Sequence, residues 1–302
     1  MTCTMVVEEE DGIRIDRYLS ERCQDLSRSY LQKLLKNGGV LVDGKAVKNN
    51  YKVSRGEKIF LEVPDATEPE ILPEKMDLDI LYEDGDLIMI NKPKRMVVHP
   101  AAGHSSGTLV NGLMAHCEDL SGINGILRPG IVHRIDMDTT GVLVACKNDF
   151  SHKDIAEQLK LHSITRVYYA IVHGTIRQDG TVNAPIGRHP TDRKKMSINE
   201  KNGKPAVTHY HVLGCSEGFT YLECRLETGR THQIRVHLAS IGHPLLGDSV
   251  YGPSKCPFPG LKGQTLHAGI LGIRHPRTGK YLEIQAPLPE YFEKLLRKLS
   301  LK

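Results

Sequence analysis

Three short stretches of this chain gather polar groups inside otherwise apolar sequence. The first is His133-Arg134-Ile135-Asp136-Met137-Asp138-Thr139-Thr140-Gly141, which runs straight into the apolar segment Val142-Leu143-Val144. Asp136, with Arg134 two residues before it, sits at the mouth of an expected strand. A carboxylate shielded from water at such a place needs a cationic partner to stay ionised. The same residue types also suit a turn in which Asp136 or Asp138 caps local backbone, so residue types alone leave both roles open. The second stretch, Glu227 to Leu238, carries Arg230, His232, Gln233, Arg235 and His237 on an expected short helix. Arginine suits the task of holding a buried carboxylate, because its guanidinium is always charged and binds bidentately. His232, His237 and His243 raise the question of a metal. Their spacings of five and six residues do not share a helix face, and no His-Glu-x-x-His pattern occurs, so no metal site is expected. The third stretch is Arg166-Val167-Tyr168-Tyr169-Ala170-Ile171-Val172-His173-Gly174.

The elements that must position these groups alternate irregularly. Leu78 to Tyr82 and Leu87 to Asn91 flank Glu83-Asp84-Gly85-Asp86, a hairpin signal. Gly141 to Cys146 and Val167 to Val172 read as strands, with a helix between them carrying Ile155, Ala156 and Leu159. A strand pair spans Ala206 to Leu226, and a helix covers Thr231 to Ile241. Leu271 to Ile284 forms a hairpin around Pro276-Arg277-Thr278-Gly279, and Glu290 to Leu301 is an amphipathic helix. Strands and helices without regular βαβ alternation indicate an α+β fold around a large antiparallel or mixed sheet.

The chain has 302 residues, of which 39% are hydrophobic, enough for two domains and a sizeable core. The net charge of +4 decides little by itself. Seven cysteines, odd in number and without a Cys-x-x-Cys pair, exclude a disulfide framework and a structural zinc site and suit a reducing cytoplasm. The N-terminus lacks the basic and apolar regions of a signal peptide, and no apolar run is long enough to span a bilayer, so a cytoplasmic protein without a membrane partner is expected. Residues 64–76, rich in proline and acid, read as a linker.

Ahead of that linker, two short helices are expected. The second is Ser27 to Lys36, with Ser27 as N-cap and Gly38-Gly39 as stop. The strands Val40 to Val42 and Lys58 to Val63 follow, with a tight turn at Asp43-Gly44. From residue 25 to 58, Arg28, Lys33, Lys36, Lys45, Lys48, Lys52, Arg55 and Lys58 outweigh Asp25, Asp43 and Glu57. Charge alone permits a solvated face or a phosphate-contacting patch. The order of helices, glycine break, Val-Asp-Gly turn and Arg-Gly-Glu turn over residues 13–63 resembles the S4 RNA-binding domain.

The three polar stretches, taken together, also carry a resemblance. His133-Arg134-Ile135-Asp136 through Gly141, Arg166-x-Tyr168-x-Ala170-x-Val172-x-Gly174, and Gly229 to Leu238 continuing to Gly247-Asp248-x-x-Tyr251-Gly252 are similar to the signatures of the RluA family of pseudouridine synthases. Asn91-Lys92-Pro93, Val98-His99-Pro100, Gly203-Lys204-Pro205-Ala206 and Leu266-His267-Ala268 extend the match over about residues 78–290. Ile135 stands where leucine is usual and Met137 where lysine is frequent. An S4 domain ahead of such a catalytic domain resembles the RluD-like branch. That resemblance implies uridine-to-pseudouridine isomerisation in RNA, most plainly large-subunit (23S-type) ribosomal RNA, free or in a pre-ribosomal particle. The implied domains are a small α/β S4 domain at 13–64, a linker at 65–76 and a catalytic domain at 77–302.

The resemblance implies Asp136 as the catalytic carboxylate and Arg235 as its partner. It places Tyr168 against the uracil, where its hydroxyl can take the C5 proton, and has Arg134 entering the gap left by an extruded base. Tyr169 faces the other side of its strand and packs. Arg28, Lys33 and Lys36 in the S4 region, and Arg193 and Lys194 in a basic loop with Arg188 and Lys195, are expected to contact the RNA backbone. The reaction transfers no electrons and no added group, so no cofactor is expected, and a monomer is expected. Two other functions compete: an RNA-binding assembly factor with an idle catalytic fold, and a glycosidase, which needs a second carboxylate about 5–10 Å from Asp136.

Overall fold

The computed structural model describes residues 2–8, 11–23, 26–63, 71–101, 103–123, 128–192 and 194–301. The chain divides into two compact units, residues 1–69 and 70–302.

In the first unit, helices α1 (Ile15–Arg22) and α2 (Arg28–Lys36) cover a small antiparallel sheet. Its strands are β1 (Thr2–Val6), β2 (Val40–Val42), β3 (Lys45–Ala46) and β4 (Lys58–Glu62), in the order β1-β4-β2-β3. Strand β1 precedes the region taken from sequence as the start of the domain. Ser27 caps α2, its side chain accepting from the Tyr30 amide. Leu31, Leu34 and Leu35 of α2 meet Ile15, Tyr18 and Leu19 of α1 and Val40, Ile59 and Leu61 of the sheet in one apolar core. That burial is the main driving force for so small a unit.

The second unit is built on nine strands: β5 (Ile80–Glu83), β6 (Leu87–Lys92), β7 (Thr140–Cys146), β8 (Thr165–His173), β9 (Gly180–Asn183), β12 (Val207–Ser216), β13 (Phe219–Leu226), β14 (Leu266–Arg274) and β15 (Tyr281–Gln285). A separate hairpin joins β10 (Ile186–Arg188) to β11 (Met196–Ile198). The order across the large sheet is β5-β6-β7-β14-β8-β13-β12-β9, with β15 also on β14. Every described pairing is antiparallel except β7 with β14, so the sheet is mixed. Helices α3 (Leu109–His116), α4 (Asp149–Lys160), α5 (Gln233–Ser240) and α6 (Glu290–Lys298) pack around it.

Strand β7 is buried along its whole length, as a central strand with an unbroken apolar run should be. Its second residue has to be glycine. Gly141 has φ +109°, and a Cβ there would stand 2.1 Å from the Ala268 carbonyl oxygen of β14. The chemistry-bearing loop before β7 is thereby delivered against β14 and β8.

Two boundaries differ from those read in sequence. Of the expected linker, residues 64–70 lie outside the described residues, while 71–76 pack on the second unit. Ile71 is buried with Val98 and Leu109, the Glu74 amide donates to the Asn111 carbonyl, and the Glu74 carboxylate accepts from the Gly107 amide. Helix α5 starts at Gln233 rather than Thr231, because His232 is left-handed at φ 57°.

Candidate active site

The loop of residues 131–139 is fixed from three sides. His133 Nε2 accepts a hydrogen bond from the Val144 amide at 3.1 Å, tying the loop back onto β7. Burial, helped by the nearby Arg166 charge, pushes His133 down to about 4, so this ring is neutral at physiological pH. Lys92, fully buried at the end of β6, donates to the carbonyls of Pro93, Met96 and Met137 at 2.8, 2.8 and 3.0 Å. Burial pulls its ammonium down to about 7 against the opposing pull of Asp138 and Asp136. Thr139 donates its amide to the Asp136 carbonyl, and its hydroxyl accepts from Gln264.

Asp136 emerges from this clamp with its side chain 25% exposed. One oxygen, Oδ2, accepts from Arg235 Nη1 at 2.9 Å. The other, Oδ1, has the His232 ring nitrogen Nε2 at 3.8 Å, and burial lowers that imidazole below its ordinary value against the opposing pull of Asp136. Arg235, on the first turn of α5, is itself gripped from behind. Its Nε and Nη2 donate to the two oxygens of Asp248 at 2.7 and 2.9 Å. Asp248 is fully buried and also accepts from the amides of Val250 and Tyr251. Burial works against both charges, but the doubly hydrogen-bonded pair more than offsets it. Arg235 is held above its ordinary value and Asp248 below its own. The pair makes Arg235 a rigid cation presenting one N–H to Asp136.

The approach to α5 is locked by Gln233. Its side-chain oxygen accepts from the Arg230 amide and the Thr228 hydroxyl, and its amide donates to Val207 and Thr208. His232 holds its left-handed backbone beside the site and shares a 2.9 Å hydrogen bond with the Tyr251 hydroxyl. That hydroxyl accepts from the Met196 amide, which links the β10–β11 hairpin to the site. Strained backbone of this kind concentrates at functional sites.

Asp136 stands where two clefts of about 360 and 290 Å³ meet. Arg134 and His232 line both, and Tyr168 lines the smaller. Arg134 is exposed, with Nη2 at 3.4 Å from the Thr231 hydroxyl. Burial raises the Tyr168 phenol, nearby Arg166 opposes the rise and Asp136 adds to it. Tyr169, on the opposite face of β8, packs against Tyr221 with ring centroids 6.0 Å apart. The structure therefore brings Asp136, Arg235, Tyr168 and Arg134 together.

The expected contacts elsewhere are placed differently. Lys33 and Lys36 are exposed on α2. Arg28 is engaged within its own unit, its Nη2 3.0 Å from buried Asp16, with half of the side chain still exposed. Lys194 is exposed in the β10–β11 turn, and Arg193 lies outside the described residues. His237 and His243 do not join His232 in any metal-sized group among the described residues. His237 bonds Thr208 and Ala184, and His243 bonds the His173 carbonyl. The sequence reading assigned no role to Lys92, Asp248 or Tyr251, although all three fall inside the quoted motifs.

Comparison with known proteins gives the family of the chain. The family model for RNA pseudouridylate synthase matches residues 86–240, and the S4 domain model matches residues 13–59. A relative from Bacillus subtilis (strain 168), described as uncharacterized RNA pseudouridine synthase YlyB, is 54% identical, covering 97% of this chain and 96% of its own. Ribosomal large subunit pseudouridine synthase D of Zymomonas mobilis is 43% identical over 98% of this chain and 96% of its own. The solved structure of human RNA pseudouridylate synthase domain containing 4 aligns with a TM-score of 0.58 at 27% identity, covering 74% of this chain and 93% of that one. The chain belongs to the RNA pseudouridine synthase family and carries an N-terminal S4 domain. It is an isomerase that acts on RNA.

Proposed function

We propose that this enzyme isomerises specific uridines of large-subunit ribosomal RNA, with Asp136 carrying the chemistry at the ribose. The RNA class is supported by relatives named ribosomal large subunit pseudouridine synthase D, which match nearly the full length. The observation that carries the assignment to Asp136 is its asymmetry: one oxygen fixed by Arg235, the other turned to the cleft.

The target base is extruded from folded RNA, and Arg134 takes its place in the stack, a flat guanidinium suiting that position. The N1–C1′ bond breaks and its electron pair leaves with the uracil. The free oxygen of Asp136 either bonds C1′, forming a glycosyl ester, or takes the C2′ proton, leaving a glycal. The uracil then turns, and C5 bonds C1′. In the first route C5 displaces the carboxylate. In the second the proton returns to C2′. Either way the C5 proton is lost and N1 gains one. Tyr168 holds the uracil and accepts the C5 proton on its hydroxyl, passing its own on. No group outside RNA and protein enters the balance. The enzyme acts as a single chain in the cytoplasm, with Lys33, Lys36, Arg193 and Lys194 on the RNA backbone.

Tritium release from [5-³H]uridine-labelled large-subunit rRNA, with labelled tRNA as control, tests the substrate. Release from rRNA alone is expected. Release from tRNA alone would overturn the substrate assignment, and release from neither would favour an RNA-binding assembly factor.

A further inference from the structure

We infer that the cleft of about 290 Å³ beside Asp136 holds a built phosphate subsite centred on Arg166, which seats the phosphate flanking the extruded uridine. This rests on the RNA-substrate reading above.

Three arginines line this cleft: Arg134, Arg166 and Arg230. Among the described residues none of the three has a carboxylate within 4.0 Å. Arg166 is the telling one. It stands on β8 on the same face as Tyr168 and is only 8% exposed. Its Nη2 donates to the Glu227 carbonyl at 3.0 Å, while its buried Nε has no hydrogen-bond partner. Arg230 likewise donates only to a neutral group, the Pro205 carbonyl at 3.0 Å. Burial pulls Arg166 below its ordinary value, and Arg230 adds to that pull.

Arg235, on α5 just beyond Arg230, shows how this fold treats a buried guanidinium that serves the protein itself: two carboxylates surround it. Arg166 has been given none. A buried cation left without a counter-charge is expensive, and so is a buried N–H without an acceptor. An incoming anion with several acceptor oxygens supplies the missing counter-charge, and phosphate matches the guanidinium fork. The substrate brings such a group on each side of every nucleotide. Extrusion turns the nucleotide about its own phosphodiester links, and because its ribose must reach Asp136, the phosphates bonded to that ribose are held at the neighbouring cleft. Neutral His133 adds no charge, and Arg134 and Arg230 supply the remaining field at the cleft wall.

Gly229 makes room for this arrangement. A Cβ there would stand 2.5 Å from Arg166 Nη1, so alanine must push the guanidinium aside. Two kinds of variant therefore reach the same group, one removing its charge and one displacing it.

The test compares wild type, Arg166→Met, Arg166→Lys and Gly229→Ala. The first readout is the salt dependence of binding to a short single-stranded oligoribonucleotide containing one uridine. The second is the half-saturating concentration and maximal rate of tritium release from large-subunit rRNA. The subsite predicts that Arg166→Met flattens the slope of log K against log[salt] by about 0.7, one single-strand phosphate contact. It also predicts about a tenfold rise in half-saturation with the maximal rate changed only a few-fold. Arg166→Lys restores the slope, and Gly229→Ala reproduces the weakening with no charge removed. An unchanged slope in folded Arg166→Met overturns the subsite. Should that variant not fold, Gly229→Ala binding as wild type overturns it equally. A wild type that releases no tritium would refute the proposed substrate, while the oligonucleotide slopes still decide the subsite.

Discussion

Each unit of this protein buries an aspartate among arginines, and the two are wired differently. Asp16 in α1 is completely buried and both its oxygens are occupied. Oδ1 accepts from Arg14, and Oδ2 accepts from Arg14, Arg28 and Gln32. It joins α1 to α2, with both oxygens engaged inside the unit. Asp136 has one cation, one engaged oxygen and a quarter of its side chain open to a cleft. Its counterpart to Asp16 is Asp248, which saturates Arg235 from behind. Surrounding a carboxylate completely makes it structural. Surrounding its partner instead leaves a carboxylate that is fixed in place through one oxygen and open to a cleft, as the proposed chemistry requires.

The largest effect that sharpens this contrast is expected from Asp248→Asn. It leaves Arg235 buried with its main counter-charge gone, costing about 3–5 kcal/mol of unit stability by denaturant unfolding and releasing the aim on Asp136. A variant as stable as wild type would show that Asp248 does not anchor Arg235. Asp16→Asn should cost less, about 1–3 kcal/mol, because Arg14 and Arg28 keep access to water. Equal losses in the two variants would erase the distinction.

Acid should separate the units in a defined order. Asp16 is held down to about 2; its burial acts upward but is outweighed by the hydrogen bonds of Arg14, Gln32 and Arg28. A carboxylate depressed on folding stabilises fully above its unfolded value near 4 and loses that contribution as pH falls toward 2. All 15 histidines lie in the second unit, and burial depresses His133 to about 4 and also lowers His99, His173, His237 and His267. Neutral buried histidine stabilises fully above about 6.5 and loses its contribution as pH falls through the range down to about 4. Methyl NMR signals of the second unit should therefore report unfolding at higher pH than those of the first. The reverse order would contradict the assignment of these groups. The smallest effect expected is on RNA affinity. Lys33→Ala with Lys36→Ala should flatten the salt slope of binding by up to about 1.8, two contacts at most, with tritium release at saturation unaffected.

Local pattern made much of this legible. The Ser27 cap, the Asp43-Gly44 turn and the apolar run of β7 each follow from neighbours in sequence. Helix α3 did not, since Leu109 to Leu113 is buried on all sides and shows no polar face; the Thr108–Asn111 capping box was its only signal. Strand β1 alternates weakly and takes its stability from β4, more than fifty residues away. At the site, Asp136 and Arg235 were found by residue type and resemblance. Asp248 was not assigned, because its pairing is made across a loop rather than by helical spacing. Lys92 escaped because three backbone carbonyls satisfy it, and no side-chain pattern records them. His232 shifted the start of α5 through a left-handed backbone that its side chain does not announce.

The measurement that tests the central claim most directly is single-turnover tritium release from rRNA by Asp136→Asn and Asp16→Asn, each scored per folded molecule. Asp136→Asn is expected to fold like wild type and release tritium at least about 10³-fold more slowly, while Asp16→Asn, though less stable, stays within a few-fold of wild type. An Asp136→Asn enzyme that keeps a tenth or more of the wild-type rate would contradict it.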